Sequence, residues 1–277
     1  GALRGPLTVT SRHNLLYLGP APVFYWPYLS KDVGEGFLLR RLKLGHSSRF
    51  GYTAEAVWDL YQTGLYRNDW SELSLRTDAY SERGLGAGLD FTFKRPERKG
   101  MAHGYYINDS AERDDRGMPV PGNRRGDLTV RHREFLPEDF RLDLELGYLS
   151  DRQFLRFYDR KEYDEEKDRE TALYLSRARG NTLLDAEIKH RINDFQNTVE
   201  RQAAGFHVIG QPFFDSPLVW TSHADVARMT LQTDEALDLP RAENVTRFNA
   251  NWELSLPFGG EAARVDPYSW SDYSFYT

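Results

Sequence analysis

Seven histidines, His13, His46, His103, His132, His190, His207 and His223, are the residues here with the widest chemical range, and their spacing builds no site. No pair falls at the spacing that sets two imidazoles on one helix face, and none sits with a carboxylate in a metal-binding motif. The acidic pairs Asp114-Asp115 and Glu165-Glu166 lie in loop-like sequence, with nothing adjacent to split two pKa values into acid and base roles. There is no cysteine, which removes disulfides, thiolate ligands and thiol nucleophiles together and leaves the redox compartment open. Neither a Gly-x-Ser-x-Gly elbow nor a phosphate-cradling loop is present. Gly84-Leu-Gly-Ala-Gly88 lies inside a strand-like segment, where its glycines relieve crowding or let the strand bend. The residues thus nominate no catalytic, cofactor-binding or metal site, and the chain is not expected to be an enzyme.

The elements that carry these residues are strands. Leu85, Ala87, Leu89, Phe91 and Phe93 alternate with Gly86, Gly88, Asp90, Thr92 and Lys94, and a two-residue period is the mark of a strand with one apolar side. The same pattern recurs at Phe140–Tyr148 and Phe248–Leu256. Weaker copies run from Tyr52 to Leu60, Leu73 to Ala79, Met101 to Ile107, Leu128 to His132, Thr171 to Leu175, Ala204 to Val208 and Leu218 to Val226. About ten to twelve strands of roughly 8 to 11 residues follow, the length a tilted membrane-spanning strand requires. Residues 182–201 fit both a strand hairpin and a helix, since Leu184, Ile188 and Ile192 are spaced at fours, and the neighbouring strands favour the hairpin. Short turns such as Ser81–Gly84 and long charged loops at Arg113–Gly126 and Tyr163–Glu170 predict a barrel with short turns at one rim and long loops at the other. Individual charges in those loops read as solvated, and the Arg125-Gly126-Asp127 triplet reads as coincidence.

Composition agrees with amphipathic strands. Aromatic residues make up 14% and charged residues 28% of the 277 positions. The net charge of −6 argues against nucleic acid as a partner. No segment is long and apolar enough for a membrane helix. The first 35 residues differ, with Pro6, Pro20, Pro22 and Pro27 in an apolar, aromatic stretch where central strands are not expected. A boundary is placed near Val33–Gly36, dividing the chain into residues 1–35 and 36–277.

Within these elements, Pro20-Ala-Pro-Val-Phe-Tyr-Trp-Pro-Tyr-Leu-Ser30 resembles the segment that leads from periplasmic domain to barrel in the lipopolysaccharide-assembly family LptD, also called the organic-solvent-tolerance family. Its motif positions are Pro20, Phe24, Tyr25 and Tyr28, with Pro22 and Pro27 as boundary or hinge candidates. Gly36-Phe-Leu38 and Gly45–Gly51 are similar to the family's first strand, Asp69–Leu75 and Arg83-Gly84 to its following strands, and Ser150-Asp151-Arg-Gln-Phe154-Leu155 to its Ser-Asp-x-x-Phe-Leu signature. Asn193-Asp-Phe195 and Leu256-Pro-Phe258 are further echoes.

The resemblance implies an all-β, antiparallel up-and-down transmembrane barrel in the outer membrane of a Gram-negative-type bacterium, preceded by the tail of a periplasmic jelly-roll domain. It implies delivery of lipopolysaccharide, or a similar amphiphile, to the outer leaflet through a barrel that opens sideways. The implied partners are an LptE-like plug lipoprotein and an LptA-like periplasmic bridge protein. Family barrels have about twice as many strands, so the chain is expected to be the N-terminal half of one. A passive porin-like or structural barrel and a soluble β-rich binding module are the alternative expectations.

Overall fold

The computed structural model describes residues 8–18, 21–32, 38–63, 68–113, 119–120, 122–165, 168–234, 244–260 and 263–277. An antiparallel hairpin of β1 (Thr8–Leu18) and β2 (Ala21–Asp32) comes first and forms its own two-stranded sheet. Pro22 and Pro27 both lie in β2. A two-stranded sheet has no central strand, so a missing ladder donor is tolerated, and the register slips between Leu16 and Tyr17, beside the position facing Pro22.

The rest is a single meander. In chain order the strands are β3 (Leu39–Ser47), β4 (Gly51–Asp59), β5 (Ser71–Tyr80), β6 (Gly84–Lys94), β7 (Arg98–Asn108), β8 (Arg124–Leu136) and β9 (Phe140–Leu149). Two short helices follow, α1 (Phe154–Tyr158) and α2 (Arg160–Glu165). Then come β10 (Thr171–Arg179), β11 (Thr182–His190), β12 (Thr198–Pro212), β13 (Val219–Gln232) and β14 (Val245–Ser255). A small hairpin of β15 (Phe258–Gly260) and β16 (Ala263–Val265) precedes the last strand, β17 (Tyr268–Tyr276). Each strand pairs with its neighbour in one thirteen-stranded sheet running from β3 to β17, with only β15 and β16 outside the order. Its two end strands do not pair with each other, so the sheet is open.

The count exceeds the expected ten to twelve because β3 and β17 join both the strands read from alternation and β11, the first arm of the expected hairpin. In β3 only Leu42 and Leu44 follow one another on the apolar side, and the register slips between Leu39 and Arg41, so the alternation is short and broken. Residues 182–201 contain β11, the turn and the start of β12, so the helical alternative is not what forms. The spacing at fours arises because every second outward residue, Leu184 and then Ile188, is large. The loops also differ from expectation. Turns 95–97, 137–139 and 180–181 share one rim and loops 109–123, 150–170 and 233–244 the other, yet the short turns 48–50 and 81–83 lie at the long-loop rim.

Register assigns every side chain to a face. Leu75, Leu89, Gly104, Leu128 and Tyr148 lie opposite one another across β5 to β9, and so share one side. This side is open to the surroundings: Leu85 is 71% exposed, and Leu89, Leu128, Ile188, Phe206, Phe248 and Phe275 on the same side are exposed too. The other side carries Val57, Arg76, Gly88, Tyr105, Asp127 and Leu149 in one cross-strand row. It is the covered side, with Asp78, Arg125, Asp127, Thr129, Ser176 and Asp225 all buried. Polarity is therefore inverted relative to a water-soluble domain, with charge inside and aliphatic and aromatic side chains outside.

The sheet also has to curl. Segment 150–158 touches Phe50 in the β3–β4 turn through Tyr158 and Asp234 beyond β13 through Arg152. Strands spaced at about 4.8 Å would put β4 and β13 roughly 40 Å apart if the sheet were flat, far beyond the reach of the short segment Arg152–Tyr158.

Candidate functional site

The covered face is densest at the long-loop rim, and the Ser150–Leu155 motif organises it. Asp151 lies two residues beyond the end of β9. Its carboxylate accepts two hydrogen bonds from Arg125 at the start of β8, from Nε at 2.9 Å and Nη2 at 2.8 Å. The same carboxylate accepts the Gln153 N–H at 2.9 Å and the Ser150 hydroxyl at 2.9 Å, so it shapes the turn into α1 while gripping the wall. Ser150 also accepts the Gly126 N–H at 3.0 Å. The third guanidinium nitrogen of Arg125 donates to Asp109 at 2.8 Å, and Asp109 additionally receives Tyr158 at 2.7 Å and Arg83 at 3.4 Å. The Arg125 side chain is 0% exposed. A buried guanidinium in this state needs both carboxylates, since a charge out of water is tolerated only when paired and hydrogen-bonded.

Apolar contacts close the cluster. Phe154, Phe157 and Tyr158 project from α1 around the Arg125 guanidinium, 6.0, 5.3 and 5.4 Å from its carbon. Phe154 packs in a buried group with Tyr80, Tyr105, Ile107 and Leu149, and Leu155, Tyr158 and Phe195 lie against it. Tyr105 donates to Asp78 at 2.8 Å, with its ring laid over Gly86 and Gly88. A Cβ at Gly88 would stand 2.9 Å from that ring, so these glycines relieve crowding on the inner face. Asn193 finishes the end of β9, where pairing with β10 has stopped, by donating to the Gly147 carbonyl and accepting the Leu149 N–H, each at 2.9 Å.

Burial alone would raise the Asp109 carboxyl, but the hydrogen bonds from Tyr158, Arg125 and the Ala111 N–H outweigh it and hold it below its ordinary value. Burial, and then the adjacent Asp109 carboxylate, push the Tyr158 phenol upward. The pair therefore holds an ionised acid against a neutral phenol, the state in which the hydrogen bond between them is strongest.

Beyond α1 the chain turns back over the inner wall. Arg169, with a 2% exposed side chain, pairs with Glu162 at 2.6 Å and reaches Asp127 at 3.8 Å. Gly147 has no side chain to obstruct this path. Between α2 and the wall lies a cleft of about 610 Å³, whose lining includes Arg41, Val57, Arg76, His103, Thr129 and Glu162. Farther along the sheet the same face bears opposite-charge pairs across strands, Lys43–Glu55 at 3.6 Å, Arg131–Glu145 at 3.7 Å and Arg201–Glu187 at 3.2 Å.

The chain matches no protein-family model, and no curated protein matches it. The motif resemblance therefore rests on its own residues, and the structure brings several of them together. Arg83-Gly84, Ser150–Leu155 and Asn193–Phe195, up to about 110 positions apart in sequence, converge on the rim cluster just described. Gly84 adopts φ +99°, a conformation glycine takes freely, and its missing side chain lets the turn approach the Asn108 carbonyl. Of the boundary motif, Pro22, Phe24, Tyr25, Pro27 and Tyr28 lie on β2, away from the thirteen-stranded sheet's order, and Tyr25 is exposed with its hydroxyl 2.6 Å from His13. Pro20, Asp114, Asp115 and Glu166 lie outside the described residues.

Arg125, Asp109, Tyr158 and Arg169 have no counterpart among the residues nominated from sequence. Two expectations change with them. Arg125, from the loop Arg113–Gly126, and Arg169, from the loop Tyr163–Glu170, belong to segments read as solvated, and both are buried and paired in the fold. The available signal was parity: Arg125 and Asp127 share the phase of Thr129, Arg131 and Arg133, the inward phase of β8.

Proposed function

We propose that the chain forms part of an outer-membrane β-barrel that delivers lipopolysaccharide, or a similar large amphiphile, from the periplasm to the outer leaflet. The observation that carries this reading is the inverted polarity of the sheet, with exposed Leu85, Leu89, Ile188 and Phe248 on one face and buried Arg125, Asp127 and Asp225 on the other. Hydrocarbon solvates the first face and a wet lumen the second. A lipid with long acyl chains and charged sugars needs both kinds of surface.

Several features favour an export device over a simple pore. The Ser150–Leu155 segment is fastened inside the wall instead of leaving the lumen clear. The first strand of the sheet, β3, has a free edge and follows a proline-bearing hairpin. A free edge is unstable in lipid, so it needs a closing strand, and a seam made there would be the weakest line of the barrel. With residues 1–35 on the periplasmic side, β3 runs outward and the long-loop rim faces the exterior, the arrangement outer-membrane barrels adopt. An LptE-like plug and an LptA-like bridge are the partners this reading requires.

The test is photocrosslinking in living cells, with the full-length protein carrying a photoreactive residue in place of Val57 or Met101, both of which line the inner cleft. Lipopolysaccharide adducts at these positions are expected. A passive channel gives none, and their absence with the protein folded and inserted would overturn the proposal.

A further inference from the structure

A second cluster on the inner face, remote in sheet order from the rim cluster, is a linear chain of five side chains on four adjacent strands. Asp185 on β11 lies 2.6 Å from Nε2 of His207 on β12. Nδ1 of His207 lies 2.6 Å from Nδ1 of His223 on β13. Nε2 of His223 lies 2.8 Å from Asp225, and Arg247 on β14 reaches the other Asp225 oxygen at 3.2 Å. His207 and His223 are directly opposed in the register, and Gly205 leaves the space through which Asp185 reaches His207.

The hydrogen bonds determine how many protons this chain holds. A carboxylate accepts and does not donate, so each Nε2 must carry its hydrogen. That leaves two Nδ1 atoms pointing at each other. With no proton between them two lone pairs collide, and with two protons two N–H groups collide. Only one proton makes the contact a hydrogen bond. A metal ion does not fit the gap: two metal–nitrogen bonds of about 2.0–2.1 Å at a tetrahedral angle hold the nitrogens more than about 3 Å apart, and among the described residues no group of three or more His, Cys, Asp or Glu is placed to bind one. One shared proton also balances the charge, since Asp185 and Asp225 are then matched by the histidine pair and Arg247.

We propose that His207 and His223 share a single proton and act as a pH-sensitive clasp between β12 and β13, which releases when the pair takes up a second proton. Two imidazolium N–H groups then face each other and the rings must part, loosening the inner seam of the two longest strands of the sheet. The charged and titratable groups facing the pair are Asp185 on β11 with Tyr174 behind it on β10, Asp225 on β13, Arg247 on β14, and Asp272 on β17, which lies beyond Asn251. The inference does not depend on which cargo the barrel carries.

The experiment follows backbone hydrogen exchange of the folded, full-length protein in detergent across about pH 5 to 8, where histidine changes charge, corrected for intrinsic exchange rates. In the wild type, β12 and β13 amides are expected to open at least about tenfold more readily at the acid end, while β6 and β7 do not change. In His223→Gln that pH response is expected to flatten to under about twofold. In parallel, ¹⁵N-histidine spectra of the wild type are expected to show one low-field proton shared by two Nδ1 nitrogens, a signature independent of whether the variant folds. Independent titration of the two rings, or an unchanged pH response in His223→Gln, overturns the proposal. So does a change on adding a chelator at constant pH, which would put a metal ion where the proton is assigned.

Discussion

At the scale of single residues, Arg125 decides whether α1 stays on the wall. Replacing it with leucine removes the cation and leaves Asp109 and Asp151 buried without their main partner. Breaking such a pair from one side costs about 3–5 kcal/mol. The loss is expected to be local, because β7, β8 and β9 keep their ladders. Trypsin should therefore cut at Arg152, Arg156, Arg160 or Lys161 roughly a hundredfold faster or more in Arg125→Leu, with the strands still protected. Equal cleavage of variant and wild type would show that the cluster does not hold the segment. The same cluster sets a pH window. Because the Asp109 carboxyl is held low, its contribution is complete above its ordinary value of 3.8 and is lost as pH falls through the depressed folded value. Tyr158 is held high, so its contribution is complete below its ordinary value of 10.0 and erodes as pH rises beyond it. Protease protection of segment 150–165 is expected to be flat between these limits and to fail outside them, and Asp109→Asn should abolish the acid limb.

Individual strands show what alternation means energetically. Leu89 sits near the middle of β6 on the exposed apolar face, while Ser74 on β5 faces inward opposite Asp90. In the proposed barrel, arginine at the outward position is expected to cost about 2–4 kcal/mol, and at the inward position less than about 1 kcal/mol, measured by reversible unfolding in lipid vesicles. A soluble sandwich would respond in the same way only if its exposed face were the polar one, and here it is not. Equal costs at both positions would remove the basis for assigning the outward face to lipid. The glycines of β6 are explained at this scale as well. Gly86 and Gly88 give the sheet room to lay Tyr105 flat, which in turn supports Phe154.

For the whole molecule, an open sheet with an apolar outside is expected to depend on detergent or lipid. The full-length protein should migrate faster on gels when unheated than when boiled, and should aggregate when detergent is withdrawn. A monodisperse monomer without detergent, and with no heat-dependent shift, would sink the membrane reading. In the proposed barrel the free edges of β3 and β17 are the lines of closure, and crosslinks there report which strands complete the sheet.

Strand type and face were legible in the chain itself, because a period of two is a local property: Leu85 to Phe93 states its own apolar side. The hairpin at residues 182–201 was less legible, since large outward residues at every second outward position mimic a helical stripe. The sequence could not tell which of its many charges are solvated and which are structural. Asp109, Arg125, Asp151 and Tyr158 carry no shared local pattern, and meet only because the sheet curls and segment 150–165 folds inward. The Asp185–His207–His223–Asp225 chain is likewise a product of register, which sets residues 16 positions apart face to face. Pairing between strands, and the desolvation that follows it, turned dispersed polar residues into one buried network and one half-buried one.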